Sequence, residues 1–340
     1  MAQPVATVHF VHRLVAVLCA LLVVAGCAAG GDLAKHKPYP RSTVKANAEA
    51  VSESGTQPTT PADGKPVDAV FAPDKLRLVN PCELLDRKLL EQVGKPGQVS
   101  ATGFSRCSNF MEDQAGKDLA VTIEVGQTMT SEVKNADKTL AGLKSYEQTL
   151  DNDACFVSVI TQEKPALGIT VQIGYKDGDA CAPGRKVMEG ALKTIRERGA
   201  VRNPAKDSLV TLDPCTLPDK AVVDAAATAS YRQYPYGLHS CSWVGDDREL
   251  TFDLRSTYVP DDRKFDDKQT DVDLGGVKGY QLDNTGAFPS CTVKWVHRLD
   301  SGDDGEVVEV KSAGPKKSEF DRCAAAVAFA KGILPKLPKA

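Results

Sequence analysis

The sequence predicts an α+β protein built from two homologous domains, each a mainly antiparallel sheet packed with N- and C-terminal helices and closed by two disulfides. Three observations predict it. A four-cysteine pattern occurs twice in the same order, apolar and polar residues alternate over short segments, and each copy closes on a helix-period stripe. The chain has 340 residues, 42% apolar and 26% charged, with a formal net charge of −3. That composition excludes collagen, coiled coil and full disorder, and it offers no general electrostatic footprint for nucleic acid.

The N-terminus comes first. Arg13 precedes a continuous apolar stretch from Leu14 to Gly26, too short for a spanning helix and of the length of a signal-peptide core. It ends Val23-Val24-Ala25-Gly26-Cys27, which resembles a bacterial lipobox: a branched apolar residue, two small residues beside the cut, then the thiol that accepts the diacylglycerol. Residues 1–26 are therefore expected to be a signal peptide, which removes Cys19, and Cys27 to be the lipidated, palmitate-bearing N-terminus. Acyl chains, at about 0.8 kcal/mol per buried methylene, hold a soluble domain on a membrane without a protein span. Location on the outer side of the cell membrane follows, where disulfides persist.

Residues 27–77 read as a flexible tether, rich in Ala, Pro, Ser, Thr, Gly and Lys, with His36 between Lys35 and Lys37 as part of a solvated basic patch. The repeat follows. Asn80-Pro81-Cys82-Glu83-Leu84 returns as Asp213-Pro214-Cys215-Thr216-Leu217 at an offset of 133, and Gly103-Phe104-Ser105-Arg106-Cys107-Ser108 returns as Gly237-Leu238-His239-Ser240-Cys241-Ser242 at 134. Leu140-Ala141-Gly142-Leu143-Lys144-Ser145-Tyr146 returns as Leu274-Gly275-Gly276-Val277-Lys278-Gly279-Tyr280, also at 134, while Cys155 matches Cys291 and Cys181 matches Cys323. The expected domains are 78–200 and 211–337, with a linker over 201–210.

Within each copy, Asn80 or Asp213 is a candidate N-cap with Pro at the first helical position, and Leu84, Leu85, Leu89, Leu90 and Val93 form a stripe ending at Gly94. Strands are expected around Cys107, at 119–125, through Tyr146, at 155–160 and at 169–173. A closing helix is expected from Cys181 to Arg198, with Val187, Ala191, Leu192 and Ile195 inward. Its counterpart runs from Cys323 to Leu337, with Val327, Ala330, Leu334 and Leu337 inward. Four cysteines admit three connectivities per domain, and sequence alone does not choose among them. The short closures are the expected ones: Cys82–Cys107, Cys155–Cys181, Cys215–Cys241 and Cys291–Cys323, each worth on the order of 3 kcal/mol through the unfolded chain. No two of these cysteines are closer than 25 residues, so the C-x-x-C spacing of a zinc site is missing and no metal or other cofactor is expected.

The order of lipobox, Pro/Ser/Thr tether, Pro-Cys-x-Leu, Cys-Ser-x, a lone strand cysteine and a Cys-Ala-opened last helix resembles an actinobacterial lipoprotein family of unknown function with a four-cysteine domain, here in tandem. Cys241-Ser242-Trp243 fits that pattern, and the first copy has Asn109 at the place of the tryptophan. The resemblance implies fold and location and carries no catalytic residues. More distantly, the arrangement is similar to extracellular sensor domains of mycobacterial receptor kinases, which implies binding of a ligand or partner.

The expected function is a lipid-anchored, non-catalytic binding or scaffolding module with an envelope protein or glycan as partner. Tyr231, Tyr234, Tyr236 and Trp243 form the candidate patch, because aromatic side chains give large contact area at low entropy cost. Alternatives are an accessory sensor of a membrane protein and an envelope hydrolase centred on His239 or His297, the histidines of the second copy. The segment Asp300-Ser301-Gly302-Asp303-Asp304-Gly305-Glu306 has Gly302 where an EF-hand loop needs Asp or Asn, and reads as a polar hairpin. The second copy carries 16 Lys and Arg against 21 Asp and Glu over 211–337, a net −5. The first carries 15 against 17 over 78–200, a net −2, so the surfaces have diverged.

Overall fold

A computed structural model of the chain describes residues 66–339, except 152, 177, 261–268 and 301. The signal segment, Cys27, His36 and the tether up to residue 65 lie outside the described residues, as does Ser301 of the polar hairpin.

The first copy opens with a 3-10 turn at Ala69–Phe71 and one-turn helices α1 (Pro73–Leu76), α2 (Pro81–Leu84) and α3 (Arg87–Leu90). Asn80 accepts from the Cys82 N–H with Pro81 behind it, the cap expected from the sequence. The single helix expected over 81–93 is instead two turns broken at Leu85, because Asp86 accepts from the Lys88 and Leu89 N–H groups and starts a new helix. Leu84, Leu85, Leu89 and Leu90 are buried all the same.

Strands β1 (Val99–Thr102), β2 (Arg106–Glu112), β3 (Asp118–Thr128), β4 (Lys138–Leu140), β5 (Leu143–Leu150), β6 (Ala154–Glu163) and β7 (Ala166–Tyr175) form an antiparallel sheet in the order β1-β2-β3-β7-β6-β5-β4, with α4 (Glu132–Asn135) before β4. Helix α5 (Cys181–Arg196) then packs on β6 and β7, burying Val187, Met188, Ala191, Leu192 and Ile195. Asp179 caps it by accepting from the Cys181 and Ala182 N–H groups.

The second copy repeats this plan: a 3-10 turn at Leu209–Thr211, α6 (Lys220–Ala227), β8 (Tyr231–Pro235), β9 (Ser240–Gly245), β10 (Glu249–Tyr258), β11 (Gln269–Asp273), β12 (Lys278–Asn284), β13 (Ser290–Leu299), β14 (Asp304–Ala313) and α7 (Arg322–Ile333). Its sheet order is β8-β9-β10-β14-β13-β12-β11, the same topology strand for strand. Here Asp213 accepts from the Cys215 N–H, but Pro218 follows at once, and the helix begins only after Asp219. The last helix turns its face slightly from the expected one. Ala326, Phe329, Ala330 and Ile333 are buried, Val327 and Leu334 are half-buried, and Pro335 tightens the end into a 3-10 turn, Leu334–Lys336.

The four disulfides are Cys82–Cys107, Cys155–Cys181, Cys215–Cys241 and Cys291–Cys323. In each copy one bridge ties the opening turn to the second strand, and the other ties the sixth strand to the start of the closing helix. The cores differ in character. The first is mainly aliphatic, with Phe71 buried in it, whereas Trp243 and Phe252 pack on Phe329 in the second, with ring centroids 5.7 and 5.6 Å apart. Asn109, at the position of Trp243, is buried too; it spans Gly97 by accepting from its N–H and donating to its carbonyl, both at 3.0 Å.

The copies begin earlier than the sequence suggested. Asp68 accepts from the Val70 N–H and Ser208 from the Val210 N–H, so the two 3-10 turns are equivalent at an offset of 140. Phe71 and Leu76, assigned to the tether, are buried in the first core; Leu209 and Val210, assigned to the linker, are buried in the second. The alternation that betrays a strand is missing from these turns, so composition alone placed them in the spacer. A bulge holds each start. Thr161 in β6 and His297 in β13 are the extra residues between Ile160 and Gln162 and between Val296 and Arg298. The Thr161 carbonyl accepts from the Val67 N–H at 2.9 Å, and His297 Nε2 donates to the Asp207 carbonyl at 2.8 Å.

Candidate functional site

The repeated Gly-x-x-x-Cys-Ser turns, far apart in sequence, meet where the copies join. Gly103 and Gly237 both take positive φ, +67° and +104°, which turns the strand back within two residues. The apolar residue after each glycine crosses into the other copy. Phe104 is buried in the second core, and Leu238 is buried in the first, over Gly126. A Cβ on Gly126 would lie 2.1 Å from Leu238 Cγ, so only glycine lets this side chain seat.

The exchange is reciprocal in its polar groups as well. Arg77 donates from Nε to the Leu238 carbonyl at 3.1 Å and pairs with Asp213 at 2.8 Å, while Arg202 donates to the Phe104 carbonyl. The next residues, Ser105 and His239, occupy equivalent positions and touch each other, as residues on a local two-fold axis do: Ser105 Oγ lies 3.1 Å from His239 Nδ1. His239 Nε2 lies 2.8 Å from the Val210 carbonyl, which can only accept, so the proton sits on Nε2 and Ser105 donates to Nδ1.

A hydroxyl donating to an imidazole has the connectivity of a nucleophile and its base. Burial holds the His239 pKa down at about 3, and the positive charges of Arg77 and Arg202 push the same way, against the hydrogen bond to Val210. Such a ring has little proton affinity to offer at neutral pH. His297 does not join it at a reacting centre. Both rings donate to carbonyls of residues 207–210, and Glu306 accepts from Ser208 Oγ and the Leu209 N–H there while pairing with Arg298 at 2.7 Å. The histidines clamp the start of the second copy.

Stability should record the His239 shift. The unfolded ring protonates near pH 6.5 and the folded one near 3, so between these values the unfolded state binds more protons. Stability is full above about pH 6.5 and falls toward pH 3, by at most about 1.4 kcal/mol per pH unit. Glu124 and Asp253, both raised by burial, act with the opposite sign: they favour the fold at low pH, and that contribution is lost as pH rises through their folded values. We expect His239→Gln to shrink the drop in stability between pH 6.5 and 4.5 by about 2 kcal/mol, read from urea midpoints. An unchanged drop would contradict the buried neutral ring.

The turns form the floor of a cavity of about 310 Å³ lined by both copies. Its walls carry a repeated polar pair: Arg106 faces Glu124 across β2 and β3, and Ser240 faces Asp253 across β9 and β10. Tyr236 stands at its rim, 56% exposed, with the Tyr234 ring 6.5 Å away. The four-aromatic patch expected from the sequence divides here. Tyr234 and Tyr236 are exposed; Tyr231 packs against the second core with Lys220 over its ring, and Trp243 is fully buried, its Nε1 donating to Gln233. Alternation along β8 sends residues 231 and 234 to opposite faces, and β9 is a central strand whose Cys241 and Trp243 share the inward face. Sequence reasoning missed Arg106, Glu124 and Asp253; the repeated Gly-x-x-x-Cys-Ser motif was the signal beside them.

Among the described residues no group of three or more His, Cys, Asp or Glu is placed to hold a metal, and no helix is long and apolar enough to cross a membrane. Four disulfides fit an oxidising, extracytoplasmic compartment.

The fold and junction define a tandem, disulfide-closed α+β protein with a cavity built from both copies. No family model matches the chain, and no curated protein matches it in sequence. Among solved structures, a conserved hypothetical protein from Mycobacterium tuberculosis, described as essential for bacterial survival during infection and as having a double hotdog fold, is 14% identical over 74% of this chain and 96% of that one, with a TM-score of 0.10. A score that low carries no argument about fold or function.

Proposed function

We propose that the protein is a lipid-anchored, extracytoplasmic binding module of the actinobacterial lipoprotein type, non-catalytic, held to the membrane through Cys27 and engaging an envelope protein or glycan at the junction of its two copies. The observation that carries this reading is the cavity shared by both copies, with Tyr236 at its rim. Burial of Trp243 and the inward packing of Tyr231 narrow the contact surface to Tyr234 and Tyr236. An accessory sensor of a membrane protein would use the same surface and differ only in its partner.

The test is photo-crosslinking in intact cells, with a benzophenone amino acid in place of Tyr236 and, as a control, in place of Phe110, which is 73% exposed on the first sheet. Adducts from position 236 that position 110 lacks are the expected result, together with release of Cys27→Ala protein from the membrane fraction. Identical adduct patterns at both positions would remove the junction as the binding site.

A further inference from the structure

The two walls of the junction cavity are not equally satisfied. On the second copy's wall, Asp253 has Ser240 as a hydrogen-bond donor and Arg255 at 3.3 Å, and Arg255 also lies 3.7 Å from Glu309. On the first copy's wall, Arg106 and Glu124 are direct cross-strand partners whose side chains, among the described residues, make no hydrogen bond or ion pair within 4.0 Å, although the charge of Arg106 acts on Glu124 from farther off. Burial weakens the hydration of the Glu124 carboxylate, and the charge of Arg106, acting from beyond hydrogen-bond distance, offsets only part of that loss, since the pKa remains raised. The adjacent Arg106 guanidinium, exposed and with its donors not taken up by Glu124, offers a planar fork suited to a second carboxylate.

Opposite charges side by side but not joined match a ligand that carries both signs. We propose that the cavity binds a zwitterion of amino-acid or dipeptide size, its ammonium on Glu124 and its carboxylate on Arg106, under the Tyr236 ring. This goes beyond the binding-module reading: it shares the junction with it but names a small ligand in place of a protein or glycan. The volume of about 310 Å³ is at the small end of ligand cavities, about 300–1,000 Å³, which suits a compact polar molecule and excludes an extended chain from full enclosure. Thr102, Ser256 and Thr257 are also among the residues that line this space, and their polar groups can serve the peptide group between the charged ends. Burial raises the Glu124 pKa, which an ammonium arriving beside it would reverse, so proton release on binding is expected near the folded value.

The experiment is calorimetric titration of the full mature chain, in detergent, with L-alanyl-L-alanine and D-alanyl-D-alanine, each also as its N-acetyl and its C-amide form. We expect at least one stereoisomer to bind, and either blocked form of it to bind at least tenfold more weakly. Glu124→Gln should abolish discrimination against the N-acetyl form and keep that against the amide, and Arg106→Gln should do the reverse. Binding of blocked and free forms with equal affinity, or no binding of either stereoisomer at millimolar concentration, overturns the proposal. If either variant fails to fold, the blocked ligands on the wild-type chain still decide. Crosslinks at position 236 without dipeptide binding leave the binding module standing and remove the zwitterion; absence of both removes both.

Discussion

Phe104→Ala is expected to destabilise the second copy by about 3–5 kcal/mol, although residue 104 belongs to the first. Its side chain fills space among second-copy residues, and truncation leaves a void that the disulfide-closed surroundings cannot collapse around. The two tryptophans of the chain, Trp243 and Trp295, are both buried in that core, so their fluorescence in a urea titration reports it directly. Phe110→Ala, close by in sequence but exposed, should stay within about 0.5 kcal/mol of wild type. Leu238→Ala mirrors the effect at about 2–5 kcal/mol, and is read from hydrogen exchange at Val121 and Ile123 in β3, since the first core has no tryptophan. Equal shifts for Phe104→Ala and Phe110→Ala would show that the copies are merely adjacent.

The second large effect concerns the bridges to the closing helices. Replacing Cys155 and Cys181 together by Ala is expected to cost roughly 3 kcal/mol, within the usual 2–5, since the loop they close spans 26 residues. Cys291 and Cys323 close a loop of 32 residues, which adds only about 0.2 kcal/mol in chain entropy, so the two double variants should lose nearly the same. Alanine is the right replacement: Cys155 and Cys291 are fully buried, and a serine hydroxyl there would need a partner. The chemical midpoint of each oxidised variant checks the size. A loss below 1 kcal/mol in both would mean that packing of α5 and α7 on their sheets already holds the helices in the unbridged chain.

The inner strands were legible because alternation marks a sheet with one covered face. β3 reads Leu119, Val121, Ile123 and Val125 inward with polar residues between, as expected. β1 was not legible: all four of its residues are exposed, so nothing in Val99-Ser100-Ala101-Thr102 separates it from a loop. The edge strand exists because β2 offers hydrogen bonds, a reason that lies in its neighbour. The cysteine pairing was not legible, since a bridge constrains distance in space and not along the chain; the short closures were an expectation that the structure bears out. The site was legible only in part. The turn Gly103-Phe104-Ser105-Arg106 was visible as a repeated motif, but the crossing of Phe104 and Leu238 is a relation between two motifs, and neither carries it alone. Tyr231 and Trp243 turn to the core while Tyr236 is exposed, and their residue type does not tell these cases apart. An aromatic residue has large contact area whether it faces a partner or a core, and strand parity decides which.

The exchanged turns also change how the junction depends on mass action. In a single four-cysteine domain with such a turn, the phenylalanine or leucine could be covered only by a second molecule, and occupancy would follow concentration. Joined in one chain through residues 200–206, the two halves meet at an effective concentration set by the connection, in the millimolar range for short linkers. The cavity above them is thereby present in every molecule, at any concentration of the protein.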